Sequence, residues 1–244
     1  MPQNVYDNPE FFARYSQFRR SVEGLAGAAE WPVLRGMLPP LDGARVLDLG
    51  CGFGWFCRWA REYGAASVVG IDLSEKMLER ARQDTDDPGI TYLLGSIEAF
   101  DFPLASFDLV FSSLAFHYVE RFDAVCERIA RVLTPGGGLV FSVEHPIYTA
   151  PSHPGWVDDG GGDRAWPLNS YQDQGLRRTD WLVEDVLKYH RTVATYINTL
   201  IRAGFRLLRL EEWGPTTDEL AAQPAFDDER QRPTFMLVAA VKES

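Results

Sequence analysis

Cysteine is scarce in this chain, with Cys51, Cys57 and Cys126 the three present in 244 residues. Their number and spacing offer neither a paired disulfide framework nor a metal-ligand set, so the sequence reads as a protein of a reducing cytoplasm with no metal centre. No apolar run approaches the roughly 20 residues of a membrane-crossing helix, and no membrane span is expected. The N-terminus lacks a basic start followed by an apolar stretch, the pattern of a secretory leader. Basic residues are in deficit, 24 Lys and Arg against 35 Asp and Glu, for a formal net charge of −11. That balance opposes a partner made of phosphate backbone, so nucleic acid is not expected. Repeats and low-complexity tracts are missing too.

What is present is a core-forming composition, 45% hydrophobic over 244 residues, which suits one globular domain. Strand and helix periods alternate from Arg45 onward, as a parallel α/β sheet requires. Ahead of this core, residues 8–21 (NPEFFARYSQFRRS) read as one amphipathic helix with Asn8 as cap and Pro9 at its first position. Near the end, Tyr196, Ile197, Leu200 and Ile201 form a helical stripe, and FRLLRLEEW and FMLVAAV read as the last two strands.

The densest signal is VLDLGCGFG, from Val46 to Gly54. A strand buried on both faces runs into Gly50, Gly52 and Gly54, where backbone can approach a ligand with no side chain between. A dinucleotide turn reads G-x-G-x-x-G, whereas here the glycines run G-x-G-x-G behind Asp48. An anionic Asp48 would repel a diphosphate and suits a ligand carrying an ammonium and a sulfonium, as S-adenosylmethionine does. One βα unit later, SVVGI and an N-capping Ser74 place Asp72 at a strand's C-terminal tip. Its two oxygens suit a ribose diol, a geometry shared by adenosine cofactors of every kind.

Five ordered motifs, DLGCGFG, GIDLS, LLGSIEAF, FDLVFSSLAFHYV and RVLTPGGGLVFS, give a chain that resembles the class I S-adenosylmethionine-dependent methyltransferases, near the methyltransferase type 11 or UbiE-like small-molecule group. The resemblance runs from Arg45 to Val241. It implies a Rossmann-like, seven-stranded, mostly parallel sheet with an antiparallel final strand, helices on both faces and a lid insertion after strand five. The expected divisions are residues 1–40 as a helical lid region, 41–145 as the donor-binding core, 146–180 as a substrate lid and 181–244 as the C-terminal helix and last strands, all in a single domain 1–244. It further implies that Gly50, Cys51 and Gly52 line the methionine end of the donor, with Asp48 beside them, and Asp72 the ribose. Leu73 and Met77 would pack at the adenine, with Ser96 and Ile97 on the ring's other side and Glu98 a weaker substitute for an acid there. Ser112 or Ser113 would meet the donor through backbone. Tyr15, with Arg19 or Arg20, fits a family lid over the methionine carboxylate, while solvated helix charges are the plain alternative.

A sulfonium already makes its methyl group electrophilic, so in-line alignment and exclusion of water are the main tasks. Phenols, carboxylates and amines arrive nearly ready, and alcohols or carbon acids benefit from a base. His117, Glu144 and His145 are the catalytic candidates and Tyr118 a substrate contact, because they stand at the ends of the fourth and fifth strands. Their plain alternatives are a turn brace for His117, a structural ion pair for Glu144 and a support of the lid's base for His145. Residues 146–180 carry Trp156, Trp166 and Tyr171 without clear periodicity, and Trp181 follows directly. An aromatic-rich stretch suits a functional lid better than a disordered linker, so Trp156 and Tyr171 are assigned to the substrate. In KYHRT, Lys188, His190 and Arg191 either hold an anionic acceptor or form a solvated face. The sequence SSLAFHY lacks the Asn or Asp, two prolines and an aromatic of enzymes that methylate exocyclic amines of bases. The expected partner is a small-molecule acceptor, acidic or aromatic, with no oligomeric state specified. A nicotinamide-dependent oxidoreductase and a non-catalytic S-adenosylmethionine-binding protein are the competing readings.

Overall fold

The computed structural model describes residues 3–243; residues 1, 2 and 244 of the expected divisions lie outside the described residues. Helices α1 (Pro9–Tyr15), α2 (Arg19–Val22) and α3 (Trp31–Arg35) precede the first strand. Then come β1 (Arg45–Leu49), α4 (Trp55–Glu62), β2 (Ser67–Asp72), α5 (Glu75–Gln83), β3 (Ile90–Leu94) and β4 (Phe107–Ser113). Helix α6 (Phe122–Val132), β5 (Leu133–Glu144) and α7 (Pro146–Thr149) follow, and then the short β6 (Val157–Asp158) and β7 (Arg164–Ala165). The chain closes with β8 (Gly175–Trp181), β9 (Val183–His190), α8 (Val193–Arg202), β10 (Phe205–Glu212), α9 (Thr217–Ala222), α10 (Asp227–Gln231) and β11 (Phe235–Lys242).

Seven strands form one sheet in the order β10-β11-β5-β4-β1-β2-β3. Strand β11 runs antiparallel to both β5 and β10, while the β5-β4-β1-β2-β3 pairs are parallel. Side-chain alternation explains why helices must cover both faces. Leu47, Leu49, Val110, Phe141 and Met236 join one buried cluster with Val125 and Ile129 of α6 and Leu200 of α8. Val46, Leu109, Phe111, Val140 and Leu237 join the other, with Phe56 of α4, Leu78 of α5 and Leu34 of α3. Cys126 fills the first cluster and Cys51 and Cys57 the second. The strand order turns back between β1 and β4, and ligands in open α/β sheets bind at the carboxyl ends of the strands flanking such a point.

Two expectations need correction. Residues 8–21 are not one helix: Asn8 caps α1 through its side chain, but the helix stops at Ser16, whose hydroxyl donates to the Phe12 carbonyl at 2.7 Å. Phe18 then takes an extended conformation and stacks on Trp181, with ring centroids 6.0 Å apart. The break lets that half-buried ring pack on Trp181. Residues 146–180 are not irregular throughout, because β8 pairs antiparallel with β9. The one residue between those strands is Leu182, at φ 63°. With no Asn-Gly or Gly-rich signal there, the hairpin is hidden in the sequence.

Candidate active site

The turn after β1 is built by backbone. Gly50, Gly52 and Gly54 all have positive φ, at 78°, 53° and 72°, a region that costs other residues strain. The Gly50 and Cys51 N–H groups both donate to the Ile71 carbonyl, at 2.8 and 3.0 Å, tying this turn to β2. A Cβ on Gly50 would stand 2.5 Å from the Ala115 Cβ, whereas one on Gly52 meets nothing within 4 Å. Gly52 thus borders open space that a bound molecule can fill. Across it, Asp72 accepts the Gly52 N–H at 2.8 Å through one carboxylate oxygen and the Ser74 N–H at 2.9 Å through the other. Burial pushes the Asp72 carboxyl above its ordinary value, and these N–H groups and that of Leu73 oppose the shift.

This turn opens into a cavity of about 570 Å³, within the range of roughly 300–1,000 Å³ common for small-molecule sites. Gly50, Gly52, Asp72 and Met77 line one end, and Ser113, Leu114 and Ala115 the tip of β4. Leu114 is held at φ 52° by two bonds from its N–H, to the Ser142 carbonyl at 2.9 Å and the Ser142 hydroxyl at 3.2 Å. Strain of this kind gathers at ligand sites. The opposite wall brings together His117, Tyr118, Glu144, Tyr148, Trp181 and Phe235, and Tyr6, Tyr15, Phe18 and Arg20 close over it. The closing segment is fastened beside Asp72, where Ser74 Oγ donates to Asp7 at 2.6 Å and Lys76 Nζ to the Asp7 carbonyl at 2.9 Å.

Of the residues singled out from sequence, Tyr15, Arg19, Arg20, Gly50, Gly52, Asp72, Met77, Ser113, His117, Tyr118, Glu144 and Trp181 meet at this cavity. Others stand elsewhere. Asp48 faces inward beneath the turn at 2% exposure, where the Cys57 thiol donates to it at 3.3 Å. Burial raises its carboxyl to about 7, so it does not present the exposed anion that the electrostatic argument assumed. Cys51 packs in the core, with its Sγ 2.9 Å from where a Gly70 Cβ would stand. The buried Ser112 hydroxyl donates to the Leu49 carbonyl at 2.7 Å. Leu73 offers its carbonyl to Asn4 at 3.1 Å, and Ser96 caps its own turn by accepting the Glu98 N–H at 3.1 Å. Glu98 accepts the Arg121 N–H at 2.9 Å. Ile97 packs against the core and supports Gly50 from behind.

His145 is committed on both sides. Its Nδ1 accepts the Ile147 N–H at 3.0 Å as the cap of α7, and its Nε2 lies 2.7 Å from Glu212. Burial lowers its pKa, and Glu212 works against that shift. The structural alternative fits it. Trp156 and Tyr171 also miss the cavity: Trp156 packs edge-on against Trp166, and the Tyr171 hydroxyl accepts the Val193 N–H at 3.3 Å. Within 146–180, Tyr148 alone appears among the lining residues, because the rest of the segment is spent joining α7 to the hairpin. Lys188, His190 and Arg191 are buried rather than solvated. Lys188 donates to Glu144 at 2.6 Å, His190 lies 2.8 Å from the Thr149 hydroxyl, and Arg191 donates to the Val119 and Glu120 carbonyls.

Sequence reasoning missed Tyr6, Phe18, Tyr148 and Phe235. Trp181 carried a signal as an aromatic beside the expected lid, but the others come from separate segments that no local pattern joins. No helix among the described residues is long and apolar enough to cross a membrane.

A family model described as a methyltransferase domain matches residues 47–141. An S-adenosylmethionine-dependent methyltransferase from Mesorhizobium loti, known from its crystal structure, is 53% identical, with a TM-score of 0.87 over 90% of this chain and 100% of that one. An uncharacterized protein of Haemophilus influenzae is 38% identical over 98% of this chain and 97% of its own length. The malonyl-[acyl-carrier protein] O-methyltransferase of Erwinia pyrifoliae is 38% identical over 133 residues, covering 54% of this chain and 48% of that protein. With a full-length relative at this identity, the same sheet and a glycine turn opposed by Asp72, this chain belongs to the S-adenosylmethionine-dependent methyltransferases.

Proposed function

We propose that this methyltransferase acts on a small-molecule acceptor by direct in-line displacement. The observation that carries the reading is that the glycine turn and the Tyr118, Glu144 and Trp181 wall line one cavity, closed over by the chain's own N-terminal segment. A space of about 570 Å³ suits a donor and a modest acceptor rather than a macromolecular surface. S-adenosylmethionine, when bound, supplies an electrophilic methyl group. Gly52 leaves room for it, Asp72 takes its ribose hydroxyls, Met77 packs at its adenine, and Tyr15 and Arg20 cover it. The competing oxidoreductase reading falls with family membership.

The protein's work is then alignment and exclusion of water. His117 is a positioning group in this scheme. Burial holds its imidazole down to about 4, so it is neutral near pH 7, and its Nδ1 accepts the Glu144 N–H at 3.4 Å. That leaves the proton on Nε2, which donates rather than accepts. The free, buried cysteines and the net charge of −11 support a reducing cytoplasm and no nucleic-acid partner.

Calorimetry with S-adenosylmethionine, followed by methyl-transfer assays on small metabolites, tRNA and protein fractions, tests the reading. Saturable donor binding and methylation confined to small molecules are expected. Methylation of the tRNA or protein fraction alone would overturn it.

A further inference from the structure

Glu144 ends β5 with a carboxylate that is only 12% exposed. One of its oxygens takes the Lys188 ammonium at 2.6 Å. The other, Oε2, is buried with no hydrogen-bond partner among the described residues, although Glu144 lines the cavity. Buried carboxylate oxygens find donors in nearly every folded protein, so an orphan at a ligand cavity marks where a ligand's donor belongs. Burial works to raise this carboxyl, but its charged surroundings, the Lys188 ammonium 2.6 Å away among them, hold it below the ordinary value. It is therefore an anion that accepts hydrogen bonds and cannot donate one.

The surrounding charges narrow the partner further. Arg20 is paired with Glu30 and Arg19 with Glu23, and Lys188 is spent on Glu144. Among the described residues, no unpaired Lys or Arg lines the cavity. A carboxylate ligand would set a second negative charge beside Oε2 with no free cation of the protein to offset it. The walls are aromatic, from Phe18, Tyr118, Trp181 and Phe235, and such faces favour flat apolar rings and cations. His117 Nε2–H adds one donor, for an acceptor atom on the ligand.

We propose, resting on the reading that this cavity holds the methyl acceptor, that the acceptor is a small flat molecule, neutral or cationic, anchored by an N–H or O–H group on Glu144 Oε2. A free carboxylate is disfavoured, although acidic acceptors are named for part-length relatives such as the malonyl-[acyl-carrier protein] enzyme. Glu144 is a binding residue in this scheme, and its ion pair with Lys188 fixes which oxygen is free.

The test titrates tryptamine, indole-3-ethanol and indole-3-acetate, three probes that share a ring and differ in its side-chain end group, into protein saturated with S-adenosylhomocysteine. Tryptamine and indole-3-ethanol should bind at least about tenfold more tightly than indole-3-acetate. Glu144→Gln should weaken tryptamine by about tenfold and leave the affinity for S-adenosylhomocysteine unchanged. Because that variant strands the Lys188 charge, the double variant Glu144→Gln with Lys188→Met is measured beside it and should give the same result. Equal or tighter binding of indole-3-acetate, or no binding of tryptamine or of indole-3-ethanol at millimolar concentration, would overturn the proposal. So would loss of S-adenosylhomocysteine affinity in the folded variants, which would assign Oε2 to the donor's own ammonium. Failure of the wild-type protein to bind S-adenosylhomocysteine would overturn the proposed function as well, and is told apart because it appears before any probe is added.

Discussion

The two ends of the cavity are built differently. At the end proposed for the donor, Gly50, Gly52, Asp72 and Met77 come from one β1-α4-β2-α5 stretch, and each is placed by a local backbone rule: positive φ at the glycines, a strand tip at Asp72, a capped helix at Met77. At the end proposed for the acceptor, Tyr6 and Phe18 come from the N-terminal segment and Tyr118, Glu144, Trp181 and Phe235 from four others far along the chain. Tyr6 donates to Tyr118 at 3.3 Å and Phe18 stacks on Trp181, so this wall is held by contacts between loops, helices and strand ends. A short local motif can therefore shape one end of the cavity, while the other end depends on which lid segments the fold brings together.

The sharpest way to break this comparison lies within the glycine turn itself. Gly50→Ala adds a Cβ 2.5 Å from the Ala115 Cβ at φ 78°, and left-handed strain plus overpacking should cost about 2–5 kcal/mol of stability. Gly52→Ala carries the strain without the collision, so its stability loss should be about 1–2 kcal/mol, with donor affinity lost beyond that because the methyl enters the cavity. Urea unfolding and calorimetry separate the two. Equal stability losses would mean that the turn is not packed as described.

Asp72→Ala comes next, lowering S-adenosylmethionine affinity by on the order of 2–3 kcal/mol if it removes two charge-assisted bonds. The same carboxylate holds the Gly52 and Ser74 N–H groups, so a stability loss of about 1–2 kcal/mol should accompany it. Unchanged donor affinity in the folded variant would remove Asp72 from the ribose.

The smallest expected effect concerns the two histidines. His145→Ala should cost stability by about 1 kcal/mol as α7 loses its cap, with donor affinity intact. His117 sits at about 4, so protonation begins only as pH falls toward that value and the imidazole stays neutral from about pH 5 to 8. His117→Asn should therefore leave the shape of the single-turnover pH profile unchanged over that range while altering the rate itself. A limb near pH 6.5 that vanishes in the variant would restore His117 as a general base.

The alternating strands, the caps at Asn8 and Ser74 and the glycine turn were all legible in the sequence, because each follows from backbone geometry within a few residues. Asp48 shows the limit of that reading. Its place before the glycines was plain, but the strand's alternation turned it beneath the turn toward Cys57 and away from the ligand space. The β8-β9 hairpin, the break between α1 and α2 and the Glu144–Lys188 pair were decided by tertiary packing. Lys188 looked like part of a solvated or anion-binding run until its burial against Glu144 consumed its charge. A charge run in sequence records residue type, whereas its partner, its solvent and its free lone pairs depend on which distant strand end the fold sets beside it.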